Sequence, residues 1–282
     1  IINNIMIITR IFQFLLLYYI MRMNKYIYNL SQSSKWPMTY YKVYKLNRAI
    51  YYSSTYAEYF EDLILYRLLF DREKGFYIDI GAYDPNKVSV TKLFYQNGWH
   101  GINIEPLPHQ FELFEKERPD DINLQYAVGQ KKRNVTFYIN DQSSTVEKKY
   151  SNGTIGIINV TMDNMNNICR KYVPNGTEID FCKIDVEGSE KDVLLGYDFI
   201  NYRPKVFCIE STIPGSRVSN HKLWRDILIN NNYSFIYKYG VNRYYVDDQI
   251  PELKKRAKFI NKFLIKYIKR KYKRRKILSS MK

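Results

Sequence analysis

Cysteine, histidine and suitably placed glycine are what this 282-residue chain has least of. Its three cysteines, Cys169, Cys182 and Cys208, are odd in number and widely separated, which excludes a disulfide framework and any zinc spacing. Two of them sit inside apolar runs, as buried, reduced thiols do, and this points to a reducing cytosolic compartment. Of the three histidines, His100 and His109 read as surface positions, leaving His221 as the one with a candidate role. An uninterrupted apolar run is missing too. The stretch IMIITRIFQFLLLYYI, Ile5 to Ile20, is broken by Arg10 and Gln13 and falls short of the ~20 residues a span needs. No small-x-small cleavage site follows it. Glycine fails where a dinucleotide turn would want it. After the strand-like run Phe76 to Ile80 only Gly81 is present, and Tyr83 and Asn86 stand at the second and third glycine positions. No internal repeat is visible.

Acidic residues are absent from one segment, and that locates the charge. Residues 253–282 hold 14 of the 44 Lys and Arg and no Asp or Glu, leaving 30 basic against 28 acidic side chains elsewhere. The formal charge of +16 therefore belongs to a tail on a nearly neutral body, which weakens a reading in which the body tracks a nucleic acid. The tail has a helical stripe: Phe259, Ile260, Phe263, Leu264, Tyr267 and Ile268, with Lys258, Lys262, Lys266 and Lys269 around it. Three readings stand open: an anchor on an anionic membrane surface, a tail docked on the body, and an RNA-binding arm. The N-terminal stretch has three as well: a helix packed on the body or another subunit, a membrane-associated helix, and a targeting segment. The expected division is an apolar arm at 1–48, a catalytic domain at 49–250 and a basic amphipathic tail at 251–282.

Between the ends, strand-like and helix-like segments alternate. A helix is expected over 55–70, then strands at 76–80, 101–106, 122–129 and 134–139, with a helix at 108–119. IDFCKID (179–185) and KVFCIES (205–211) are near-continuous apolar runs, as expected of parallel strands buried on both faces, each followed by a helix, at 189–200 and 219–231. YSFIYKYG and RYYVDD form an antiparallel pair around Gly240. The pattern predicts an α/β fold with a mainly parallel sheet, whose ligand lies at the carboxyl ends of the strands. Four of five such ends carry a carboxylate: Asp79 before Gly81-Ala82, Glu105-Pro106, Asp185-Val186-Glu187, and Glu210; the fifth is Ala127-Val128.

A diphosphate would be repelled by Asp79 and Asp84 beside a lone Gly81. A ligand with an ammonium and a sulfonium would be attracted, and S-adenosylmethionine carries both. Glu105, 24 residues after Gly81, stands where a carboxylate accepts from both ribose hydroxyls. The readings that compete are NAD and a fold that has lost its catalysis.

FYIDIGAYDPNKVSVTKLFYQNGWHGINIEPLPHQFELFEKERPDDINLQYAVG, TMDNMNNI, IDFCKIDVEGSEKDVLLG and KVFCIEST together resemble the FkbM-type methyltransferases, over about residues 55–250. The resemblance implies the class I methyltransferase fold, with a Rossmann-like seven-stranded sheet and helices on both faces. It also implies S-adenosylmethionine as cofactor and O-methylation of a sugar hydroxyl in a polysaccharide, glycolipid or related glycoconjugate. It places Asp79, Gly81, Ala82 and Tyr83 at the methionine end, Glu105 and Pro106 by the ribose, and Ala127 and Val128 by the adenine. The family turn continues Gly-Ala-Asn-x-Gly, whereas here Gly81-Ala82-Tyr83-Asp84-Pro85 departs from it.

A sugar hydroxyl needs a general base or a metal to lose its proton at neutral pH. Asp185 is expected as the central carboxylate, also touching the cofactor, with His221 as proton acceptor and Glu187 as the further candidate. The rival is Mg²⁺ on Asp185 and Glu210, since carboxylate-only sites suit it. Lys183, two residues before Asp185, is a candidate to neutralise it. No Asn/Asp-Pro-Pro-aromatic motif and no Pro-Cys nucleophile is present, which counts against a nucleic-acid methyltransferase. The expected location is the cytoplasm, peripheral at the inner membrane surface.

Overall fold

A computed structural model describes residues 55–140 and 143–260; the arm at 1–48 and the tail beyond 260 lie outside the described residues. Seven strands form one sheet in the order β3-β2-β1-β7-β8-β10-β9. These are β1 (Phe76–Ile80), β2 (His100–Ile104), β3 (Ile122–Leu124), β7 (Phe181–Ile184), β8 (Val206–Glu210), β9 (Tyr233–Tyr239) and β10 (Asn242–Asp247). β10 runs antiparallel to both its neighbours, and the pairs from β3 through β8 are parallel. A second, three-stranded sheet has the order β4-β6-β5, from β4 (Ala127–Val128), β5 (Arg133–Ile139) and β6 (Gly156–Asp163).

The apolar runs of β1, β7 and β8 are buried at every residue, which covering both faces requires. Successive side chains alternate between the faces. Ile78, Ile80, Cys182, Ile184 and Ile209 join one core with Met165 and Ile168 of α4 (Met165–Tyr172), Val193 of α5 (Glu190–Leu195) and Leu228 of α6 (Arg225–Asn230). On the other face Tyr77 stacks on Phe181 at 5.6 Å, and Phe94 of α2 (Lys92–Gln96) packs against Phe181 at 4.6 Å. All three cysteines are buried and unbridged, and burial pushes the Cys169 thiol up to about 12.

Three expectations change. The run 122–129 is not one strand: β3 ends at Leu124, and Ala127–Val128 leaves the main sheet to pair in parallel with β6, a strand the sequence reading did not include. The helix expected over 55–70 is α1 (Glu61–Leu68), because Asp62 binds the Thr55 hydroxyl and the Tyr56 amide, each at 2.8 Å, and folds the preceding residues into a turn. Phe60, with φ of 62°, closes that turn. The helix at 219–231 is a 3-10 turn, His221–Leu223, followed by the short α6.

The described start of the segment expected as a basic amphipathic tail packs on this body. In α7 (Pro251–Phe259) Leu253 and Ala257 are buried, as is Ile260 just after it, and Arg256 forks onto both oxygens of Asp71 at 2.6 and 2.7 Å. No helix among the described residues is long and apolar enough to cross a membrane. Docking of α7 predicts that Leu253→Ala lowers stability by about 2–4 kcal/mol in urea unfolding; an unchanged midpoint would mean α7 is not held on the body.

Candidate functional site

The strand register builds the site. Ile80 lies opposite Ile104 and Ile184, and Ile184 lies opposite Ile209. The next residue on each strand is Gly81, Glu105, Asp185 and Glu210, so these four stand in one row at the carboxyl edge. A cleft opens over this row, lined by Gly81, Ala82, Tyr83, Glu105, Pro106, Ala127, Val128, Lys183, Asp185 and Glu187 among others. Every residue expected at the cofactor is therefore on the cleft except Asp79. Phe137, Ser144 and Val146, from β5 and the loop after it, also line it.

The expected acidic first turn needs correcting. Asp79 is 1% exposed and lies beneath the cleft. Its carboxylate accepts from the Thr91 hydroxyl at 3.3 Å and pairs with Lys183 Nζ at 3.3 Å. Asp84 is used locally, its Oδ1 accepting the amides of Asn86 and Lys87 at 2.7 and 2.8 Å. Among the described residues, the acids that do face the cleft are Glu58, Glu105, Asp185 and Glu187, against a single cation, Lys183. The excess of negative charge expected of the cleft is present, carried by other residues. Pro85, the departure from the family turn, has its carbonyl bound by the buried guanidinium of Arg118, so the loop is fastened rather than loose.

Lys183 links the first turn to the row above it. Its ammonium donates to the Gly81 carbonyl and lies 3.3 Å from Asp79 and 3.6 Å from Asp185. Burial alone would lower its pKa, but Asp79 and then Asp185 hold it above the usual lysine value. Burial pushes the Asp79 carboxyl up, and the Lys183 charge opposes that. Gly81 has φ of 73°, and a Cβ there would lie 1.8 Å from the Asp185 carbonyl oxygen, so no other residue fits. Tyr83 and Glu187 adopt left-handed φ of 58° and 52° without being glycine, and both line the cleft. Such strain persists where the surroundings impose it, and it clusters at functional sites.

Glu105 is held ready to accept more donors. Its Oε2 accepts the Tyr83 amide at 2.8 Å and its Oε1 the Leu107 amide at 3.0 Å, which leaves each oxygen a lone pair. Burial raises its pKa to about 7, against the pull of those two amides.

A second cavity adjoins the cleft. Asp185, Glu187 and Glu58 line both, and Glu210, Thr212, Tyr59 and Arg217 are among the further residues of the second. One carboxylate oxygen from each of Asp185, Glu187 and Glu210 lies within 4.8 Å of the others. Burial, then Asp185 and Glu190, raise Glu187 to about 8; burial, then Asp185 and Glu187, raise Glu210 to about 10. His221 is not brought to this site, which corrects its expected role as proton acceptor. It lines neither cavity, its Nδ1 lies 2.8 Å from the Ser219 hydroxyl, and its pKa is lowered by burial and by Arg243, Arg225, Lys222 and Lys238. The sequence reading missed Glu58, which precedes the first strand and belongs to no strand end.

A mainly parallel seven-stranded sheet with an acid-lined cleft at its carboxyl edge defines an α/β methyltransferase-type domain. The family model described as the methyltransferase FkbM domain matches residues 79–235, more than half of the chain, and the chain belongs to this family of S-adenosylmethionine-dependent methyltransferases. Among solved structures, the chain is similar to the methyltransferase FkbM from Methylobacillus flagellatus KT, at 14% identity and a TM-score of 0.43. That match covers 62% of this chain and 44% of the other, so this chain spans less than half of that protein's length. No curated protein matches it.

Two outcomes follow from the geometry. Gly81→Ala should destabilise the fold by more than about 1 kcal/mol, seen as a lower thermal midpoint; an unchanged midpoint would contradict the close approach to Asp185. Glu105, with a pKa near 7, accepts best when ionised. Affinity for S-adenosylhomocysteine should therefore rise as pH increases through 7. Glu187 contributes with the same sign near pH 8. Glu105→Gln isolates the first share: calorimetric titrations across pH should lose the step near 7 and keep the later one.

Proposed function

We propose that the chain methylates a hydroxyl of a sugar in a polysaccharide, glycolipid or related glycoconjugate. The observation that carries this reading is the pair of adjoining cavities with Asp185 and Glu187 on both. In it, Glu105 holds the ribose hydroxyls, Ala127 and Val128 flank the adenine, and Gly81, Ala82 and Tyr83 line the methionine end. Asp79 acts from below, by fixing Lys183. The residues fit such a ligand: Glu105 has free lone pairs, Gly81 lines the cleft without a side chain, and the described lining carries more acids than cations. The bound cofactor supplies a methyl group already activated on a sulfonium.

The chain must hold an acceptor oxygen ~3 Å from that methyl and remove its proton. Asp185 and Glu187 are the carboxylates placed for both tasks. The acid lining of the second cavity suits a neutral polyhydroxyl acceptor and disfavours a polyanion, which sets nucleic acid aside. The basic stretch after residue 260 suits an anionic lipid surface, and its role is to keep the domain near membrane-borne glycans.

Incubation with isotopically labelled S-adenosylmethionine and extracted glycans should add one methyl per acceptor by mass spectrometry. Glu187→Gln should lower kcat by roughly 10²-fold while leaving S-adenosylhomocysteine affinity within a few-fold at pH 7. A chain that binds the cofactor product yet labels no glycan fraction would overturn the acceptor reading.

A further inference from the structure

The second cavity presents a charge problem that its own residues do not solve. Asp185, Glu187 and Glu210 bring three carboxylate oxygens within 4.8 Å of one another. The nearby cation, Lys183, touches only Asp185 of the three and is shared with buried Asp79. Arg217 lines the same cavity but makes no ion pair with any of them among the described residues. Glu190, fully buried behind the group, adds negative potential and turns its Oε1 onto the Gly188 amide at 3.0 Å.

Glu210 supplies a second, independent sign. It is 6% exposed and lines this cavity, and its Oε2 has no hydrogen-bond partner among the described residues, although Oε1 accepts from Thr212 at 2.8 Å. A buried carboxylate oxygen without a donor carries the whole cost of its desolvation. Such an atom in a native structure calls for a water, an ion or a catalytic role, and here it faces a cavity shared with two further carboxylates. Glu187 also stands in the group from a left-handed backbone conformation, with φ of 52°.

We infer that Asp185, Glu187 and Glu210 form a site for one hard divalent cation, Mg²⁺ or Mn²⁺, at the boundary of the two cavities. Oxygens sharing such a cation at ~2.1 Å lie about 3 Å apart when adjacent and about 4.2 Å apart when opposite, so the three side chains close by rotation about their own bonds to become a ligand set. All-carboxylate ligands suit hard cations of this kind. Thr212 and the strained turn at Glu187 orient the outer two ligands, in the way metal sites are held from behind. The inference deepens the proposed function, because a cation here lowers the pKa of a hydroxyl it binds and so eases loss of the acceptor's proton. The cation site itself is testable without any acceptor.

The test uses the full chain, free of cofactor, titrated with Mn²⁺ and followed by the electron paramagnetic resonance signal of the free ion. One saturable site per chain is expected, displaced by Mg²⁺. Glu210→Gln, which keeps shape and removes one carboxylate from the set, should weaken Mn²⁺ by more than roughly tenfold. Glu187→Gln, at a half-buried position, should do the same, while Glu105→Gln in the cofactor cleft should leave Mn²⁺ binding unchanged. Absence of a saturable site at millimolar Mn²⁺, or a site indifferent to both Glu210→Gln and Glu187→Gln, would overturn the inference. So would one-for-one displacement of Mn²⁺ by S-adenosylhomocysteine, which would assign the carboxylates to the cofactor's ammonium. S-adenosylhomocysteine titrated into the metal-free chain separates the two claims: cofactor binding without a Mn²⁺ site removes the cation alone, and a Mn²⁺ site without cofactor binding removes the methyl-transfer reading alone.

Discussion

The ammonium of Lys183 is the contact on which the site depends. It is one residue of β7, yet it binds the Gly81 carbonyl at the end of β1, Asp79 below and Asp185 above. Taking a lysine and an aspartate out of water is costly, and their attraction offsets that only when the geometry is good and remaining polar groups are satisfied. Here the pair also sets the path of the turn that follows β1. Removing the lysine would leave Asp79 buried and uncompensated, and would free the carbonyl that holds Gly81 in place. The ion pair thus joins the stability of the sheet to the shape of the cleft.

Around that contact the chain accumulates negative charge at a cost. Glu105, Glu187, Glu190 and Glu210 all have their pKa raised, with burial as the first cause in each. An acid that binds its proton more tightly when folded makes the fold less stable as pH rises from its unfolded pKa to its folded one. For these four that window runs from about 4.5 upward through 7 and beyond. A fold selected for stability alone would not gather acids in this way. The arrangement makes sense when a positively charged ligand belongs there.

Much of this was legible in the sequence, for identifiable reasons. Apolar runs at 76–80, 179–185 and 205–211 read as strands covered on both faces, so a mainly parallel sheet with its ligand at the carboxyl ends of the strands followed. Acids at strand ends marked the row that became the cleft. What misled was the neighbourhood of Gly81: Asp79 and Asp84 looked like ligand contacts because sequence shows proximity along the chain and not direction. A strand's two-residue alternation puts Asp79 and Lys183 on one side of neighbouring strands, and that signal would have paired them. The second sheet was missed because β6 has one exposed face, where Ile157 is 62% exposed, so no buried run announces it. His221 drew notice for its rarity, and rarity says nothing about where a side chain ends up.

The most direct test of the central claim, that the carboxyl edge of this sheet is a binding site for S-adenosylmethionine, is calorimetric titration of the full chain with S-adenosylhomocysteine. One equivalent per chain, bound with a saturable heat, is the predicted result. No heat of binding at millimolar ligand from a folded chain would contradict it.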